Sequence, residues 1–209
     1  MNSAYKGLLY KDLFHLRGSF AVVAVLFLVM TLILGIGGGV FALYVMLMVL
    51  AVKMIESTLI YDETEQWDSF VLTTPVSRSV VIRSKYLLQI IFIAAASFLA
   101  SVVFLLFTLF IPAFAGDAVI YQMLILGFGY SLVYSSVIIP LYLKVGAEKS
   151  RIISFAVLIL VAAVYALTVG TLVFSESVVV VFCGTAVVSF AAFGASYMLS
   201  QKIYAKKEF

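Results

Sequence analysis

Lys53 and Glu56 are the residues whose type and spacing first suggest chemistry. They stand three positions apart inside an otherwise apolar run, so on a helix they share a face and can pair. Charged groups within membrane helices are by default functional candidates, as a translocation path or an intramembrane pair. A plainer reading places both near the end of the helix, where lysine can snorkel toward water. Other reactive groupings are incomplete. His15 is the single histidine and Cys183 the single cysteine. One of each cannot build a catalytic zinc site without carboxylate help, and a lone cysteine forms no internal disulfide. Cys183 is expected to be a buried, inert thiol. Ser135-Ser136 has no histidine or lysine beside it to act as a base, and serines of this kind suit close helix packing. Lys149-Ser150 imitates the end of a phosphate-binding loop. Glu148 and Leu143 stand where that loop requires glycine, so the motif fails. The chain carries no catalytic site or metal site of its own and is not expected to be an enzyme.

These residues must be positioned by membrane helices. Of the 209 residues, 65% are hydrophobic and 11% charged, and the mean hydropathy is +1.23. A soluble domain of this length is nearer half apolar and a quarter charged, so lipid is the solvent. A bilayer core of roughly 30 Å takes about 20 apolar residues in helix. Six segments qualify, at 19–34, 40–61, 87–111, 118–143, 152–174 and 178–200. Gly35, Gly37, Gly38 and Gly39 break the first from the second. Pro112 and Gly116 break the third from the fourth, and Ser175, Glu176 and Ser177 part the last two. The reading is an all-α, integral membrane six-helix bundle, a single transmembrane domain over 1–209. The first apolar run is too long for a signal-peptide core and is expected to stay in the protein.

Orientation follows from the basic residues, which loops on the cytoplasmic side retain. All 13 lysines and arginines fall on one side of this arrangement, whereas the opposite loops carry only Asp117 and Glu176. Both termini are therefore expected in the cytoplasm of a multi-pass protein of the cell membrane. No basic run is dense enough for nucleic acid.

Residues 1–18 form a helix candidate of their own. Tyr5, Leu8, Leu9, Leu13 and Leu16 fall on one arc, with Lys11, His15 and Arg17 mostly opposite. That pattern suits an amphipathic helix lying in the membrane interface. Asp12 sits awkwardly within the apolar arc.

The sizeable polar stretch is the elbow 62–86. It opens acidic, with Asp62, Glu63 and Glu65, and ends basic, with Arg78, Arg83 and Lys85. Trp67, Phe70 and Val71 recur at helical spacing. Pro75 ends that short helix, because the residue before a proline is pushed out of the helical region. Ser77 can then cap a second helix running from Val80 into the third membrane segment. The elbow offers Trp67 and Phe70 either to a partner or to the lipid headgroups.

This elbow resembles that of the small permease subunits of ABC-2-type ATP-binding-cassette transporters. The resemblance rests on Trp67-Asp68, on Leu72-Thr73-Thr74-Pro75-Val76-Ser77-Arg78 and on Ser84-Lys85-Tyr86-Leu87. The opening Tyr5–Leu16, with Lys11-Asp12, is also similar. The resemblance implies that two permease subunits pair, here as a homodimer. Each would sit on a separate ABC ATPase subunit that holds the ATP and Mg. It further implies that the elbow docks in a groove of the ATPase, with Glu63, Trp67, Asp68, Phe70, Leu72, Pro75 and Arg78 as the contacts. In size and plan the chain is similar to bacterial exporters of amphipathic and antimicrobial peptides, so a hydrophobic or amphipathic peptide is the expected cargo. The alternative is an autonomous channel or secondary transporter for a small solute. That class would place broken helices and charges at the midplane, for which Gly127, Gly129, Pro140, Lys53 and Glu56 are the candidates.

Overall fold

The computed structural model describes residues 2–36, 40–71, 73–110, 118–173 and 178–207. Among them every regular element is a helix: α1 (Asn2–His15), α2 (Arg17–Ile36), α3 (Val40–Thr64), α4 (Trp67–Val71), α5 (Arg78–Phe110), α6 (Ala118–Val145), α7 (Ala147–Val173) and α8 (Val178–Lys206). The expected breaks at Gly37 to Gly39, at Pro112 and Gly116, and at Ser175 to Ser177 lie outside the described residues, as do Asp117 and Glu176.

Among the described residues, four stretches are long and apolar enough to cross a membrane: Leu43–Thr64, Arg78–Phe107, Gly127–Val145 and Cys183–Lys206. Tyr5–His15 and Arg17–Thr31 meet at 55° and together would make a fifth. The helices overrun the expected apolar segments at their charged ends. The expected third segment begins at Leu87 and the helix leading into it at Val80; both belong to α5, which starts at Arg78. Hydropathy reports the thickness of the lipid, whereas backbone hydrogen bonding continues the helix into the polar region.

The centre of the bundle is α6, which packs against α3, α5, α7 and α8. Small residues allow this. A Cβ at Gly127 would lie 2.3 Å from the Tyr44 hydroxyl of α3, and one at Gly129 would lie 3.0 Å from Ser189 Oγ of α8. Ser131 and Ser135, one and two turns past Gly127, are fully buried, and Gln89 of α5 donates to Ser135 Oγ at 2.6 Å. The glycines and serines of this helix act as packing surfaces. Cys183, expected to be buried, is exposed.

Of the expected apolar arc over Tyr5–Leu16, Leu8 and Leu16 are buried and Leu9 packs against the core, whereas Leu13 is exposed. The inward residues of α1 are Leu8, Asp12 and Leu16, at i, i+4 and i+8, and all are buried. Tyr10, Leu13 and Phe14 face outward. The cause is a charge pairing across to α5, which draws Asp12 into the protein.

Candidate functional site

The chain turns from α3 into α4 at Gln66, whose φ of 52° is left-handed. Glycine usually takes this position at a helix end; a residue with a side chain gives up about 1–2 kcal/mol there. The Gln66 amide donates to the Glu63 carbonyl at 3.1 Å, and the Ser69 and Phe70 amides donate to the Gln66 carbonyl at 3.2 and 3.4 Å. One residue thus closes α3 and opens α4. At the far end, the Thr73 and Thr74 hydroxyls donate to the Phe70 and Val71 carbonyls at 2.8 and 2.5 Å. Each carbonyl also accepts the backbone amide of the same threonine, at 3.0 and 3.1 Å, so the last turn of α4 is closed before the stop at Pro75. Ser77 begins α5 through its carbonyl, which accepts from the Val80 amide at 2.9 Å. Its hydroxyl, expected as the cap, lies 3.2 Å from the Ser79 hydroxyl instead.

Three sets of polar contacts fasten the elbow to the rest of the chain. In the first, Lys85 of α5 contacts both Asp12 carboxylate oxygens at 2.9 Å and Asp62 at 2.6 Å. Lys11 pairs with Asp12 at 2.9 Å and also with Asp62. Two cations and two carboxylates balance formally. That balance matters because an unpaired charge so deeply buried would be expelled or neutralised. The set joins α1, α3 and α5. His15 adds to it from α1, stacking on Tyr61 and lying 3.4 Å from Glu65.

In the second, the Ala147 amide donates to Glu63 Oε2 at 2.6 Å. The first amides of a helix lack internal partners, so a carboxylate from α3 caps α7. Gly146, with φ of +88°, makes the turn that allows it. In the third, Asp68 of α4 accepts from the Tyr204 hydroxyl at 2.9 Å and from Lys207 Nζ at 3.3 Å. Arg78 Nη1 meanwhile donates to the carbonyls of Tyr204, Ala205 and Lys207 at 3.3, 2.6 and 3.2 Å. The guanidinium thus caps the last turn of α8, where a cation suits the helix dipole. A cavity of about 20 Å³ lies between the first and third sets, bordered by Asp62, Asp68, Lys85, Tyr142, Tyr204 and Lys207. It has room for one water.

The residues expected to contact a partner therefore divide. Glu63, Asp68 and Arg78 have their hydrogen bonds made within the chain. Trp67 is half-buried, with Lys11 Nζ 4.4 Å above its ring and Phe70 5.3 Å away. Val71, expected on the same apolar face, is buried, whereas Phe70 is 58% exposed. Pro75 is exposed at the tip, and Leu72 lies outside the described residues. The sequence did not single out Tyr204, and it placed Lys85 in the elbow and Asp12 in the apolar arc without naming their pairing. The one signal in the sequence was the misplaced charge of Asp12 in an apolar arc.

Lys53 and Glu56 do pair, at 2.9 and 3.0 Å. Their cluster is larger than the sequence suggested. Tyr134 and Tyr142 of α6 donate to Glu56 at 2.5 and 3.3 Å, and Lys53 donates to Ser154 Oγ of α7 at 3.3 Å. The cluster ties α3, α6 and α7 together. Glu56 is buried, whereas the Lys53 side chain is 28% exposed and runs past the Phe155 ring at 4.9 Å.

A bundle of long apolar helices, with its charges gathered around a helix-break-helix elbow, defines a multi-pass membrane protein. The family model described as ABC-2 family transporter protein matches residues 7–205, nearly the whole chain. The protein belongs to this family, and is thus a membrane permease component of an ABC transporter rather than a catalytic subunit. No curated protein and no solved structure matches the chain.

Proposed function

We propose that this chain is the permease subunit of an ABC exporter of hydrophobic or amphipathic peptides. It crosses the cell membrane six times, through α2, α3, α5, α6, α7 and α8. The shortest of these, α2, has 20 residues and spans about 30 Å at 1.5 Å per residue. Both termini face the cytoplasm, on the side that holds the 13 basic residues. The helix α1 lies in the interface, with Tyr10, Leu13 and Phe14 toward the lipid. Two copies pair, and each receives a separate ATPase subunit that binds ATP and Mg.

The elbow is the coupling element. The observation that carries this reading is its division into a fastened base and a free tip. Asp62, Glu63, Asp68 and Arg78 are bonded to four other helices, while Phe70 and Pro75 project from α4 and the turn after it. A partner that pushes on the tip moves α1, α5, α7 and α8 through bonds already made. Phe70, Pro75, Leu72 and the edge of Trp67 are the contact residues; Glu63, Asp68 and Arg78 hold them in position. The peptide cargo is supported by an apolar cavity of about 440 Å³ among α6, α7 and α8, lined by Tyr130, Val133, Val161, Val164 and Val188.

The test is co-expression with an ABC ATPase encoded beside this gene. A complex purified in detergent is expected for the wild type and weakened by Trp67→Ala or Pro75→Ala. If no ATPase co-purifies and the chain alone moves solute across liposomes without ATP, the reading fails. For the cargo, amphipathic peptides should stimulate ATP hydrolysis by the reconstituted complex. Stimulation by another solute class, with none by peptides, would reassign it.

A further inference from the structure

The last turn of α8 is gripped from both arms of the elbow. Asp68, before the break at Pro75, holds the Tyr204 hydroxyl and Lys207 Nζ. Arg78, after the break, holds three carbonyls of the same turn. Tyr204 is 1% exposed although it lies beside the end of the helix. Above this grip, α5 and α8 are joined by further polar contacts. Arg83 Nε donates to the Tyr197 hydroxyl at 2.8 Å, and the Tyr86 hydroxyl lies 2.6 Å from Ser196 Oγ and 2.8 Å from Ser200 Oγ. The Tyr86 ring packs edge-on against Phe193 and Tyr197 at 5.0 and 5.3 Å. Residues 193, 196, 197, 200 and 204 recur at three- and four-residue steps, so one face of α8 makes all these contacts.

We propose that the end of α8, through Tyr204 and Lys207, is a positioning element of the coupling elbow. The elbow, the start of α5 and the end of α8 then move as one body. This rests on the elbow being the ATPase-contacting site. It adds that the tip's orientation is set by residues about 130 positions further along the chain. It also gives the elbow a route into the membrane. Gly184, Thr185, Val188 and Ser189 of the same helix form one wall of the apolar cavity. Movement of the tip reaches that cavity through α8.

The test compares wild type with Tyr204→Phe and with Tyr204→Phe/Lys207→Ala, as full chains in lipid nanodiscs. Hydrogen exchange is read at the amides of residues 66–77. Tyr204→Phe removes one hydroxyl and keeps the ring, so the fold should persist, with a fall in the unfolding midpoint no larger than that of Tyr134→Phe. Exchange in the elbow is expected to rise about tenfold, and further in the double variant, with α6 unaffected. Unchanged elbow exchange in both variants would overturn the proposal. So would a uniform loss of protection with a larger fall in the midpoint, which would make Tyr204 merely structural. In the complex, Tyr204→Phe should lower transport per ATP hydrolysed while the ATPase still co-purifies. Failure of the wild type to bind any ATPase would overturn the coupling reading instead, and the exchange result would still decide whether α8 positions the elbow.

Discussion

Lys85 Nζ sits 2.9 Å from both carboxylate oxygens of Asp12, a residue 73 positions earlier in the chain. The two side chains are 5% and 2% exposed, and Asp62 shares the lysine at 2.6 Å. Lys85→Met should leave two buried carboxylates facing Lys11 alone. Removing one partner of a buried pair costs about 3–5 kcal/mol. A clear fall in the thermal unfolding midpoint in detergent is expected, with partial recovery when Asp12→Asn is added. An unchanged midpoint for Lys85→Met would mean that the four charges contribute nothing to stability.

The tyrosines on Glu56 should differ in weight. Tyr134 donates at 2.5 Å and Tyr142 at 3.3 Å. Hydrogen bonds to charged groups contribute about 1.5–3 kcal/mol in water-soluble proteins and less between membrane helices. Tyr134→Phe should therefore destabilise by about 1–2 kcal/mol and Tyr142→Phe by less than half of that. Equal losses in paired unfolding measurements would contradict this ranking.

Gly146 and Glu63 form one structural unit. Alanine at Gly146 would bear a left-handed φ of +88° and place its Cβ 3.0 Å from Glu63 Oε1. The backbone strain alone is about 1–2 kcal/mol. Glu63→Ala should cost about 0.5–2 kcal/mol as a lost cap on α7. Because both changes disturb the same contact, the double variant should lose less than the sum. Strict additivity in a double-mutant cycle would argue that the two act separately.

Tip and base of the elbow should separate by assay. Phe70→Ala removes an exposed side chain and should alter stability by within about 0.5 kcal/mol. Its effect belongs to partner binding, where loss of an aromatic anchor weakens association about tenfold or more. Arg78→Ala should do the reverse in part, lowering the unfolding midpoint because the carbonyls of Tyr204, Ala205 and Lys207, at and just past the end of α8, lose their donor. Equal destabilisation by Phe70→Ala and Arg78→Ala would erase the division between tip and base.

How legible the protein is from its sequence depends on the range of the signal. The break at Pro75, the short helix around Trp67 and Phe70, and the pairing of Lys53 with Glu56 are local, set by neighbours within one or two turns. All three are present. The roles of Glu63, Asp68 and Arg78 were not legible, because their partners Ala147, Tyr204 and Ala205 lie far along the chain. Asp12 illustrates the same limit. Its sequence context marks it as misplaced but does not name Lys85.

By itself, then, the sequence determined that the chain is helical, that lipid is its solvent, and that its charges gather around one elbow. Those properties follow from counts and periods along a single segment, which hydropathy and helix geometry translate directly. Only the tertiary structure decided which charges neutralise each other, which face of α1 turns inward, and which elbow residues remain free. The physical reason is that lipid-facing and core-facing side chains in a membrane bundle are equally apolar. Hydropathy therefore cannot set the rotation of one helix against another, and that rotation selects every polar partner.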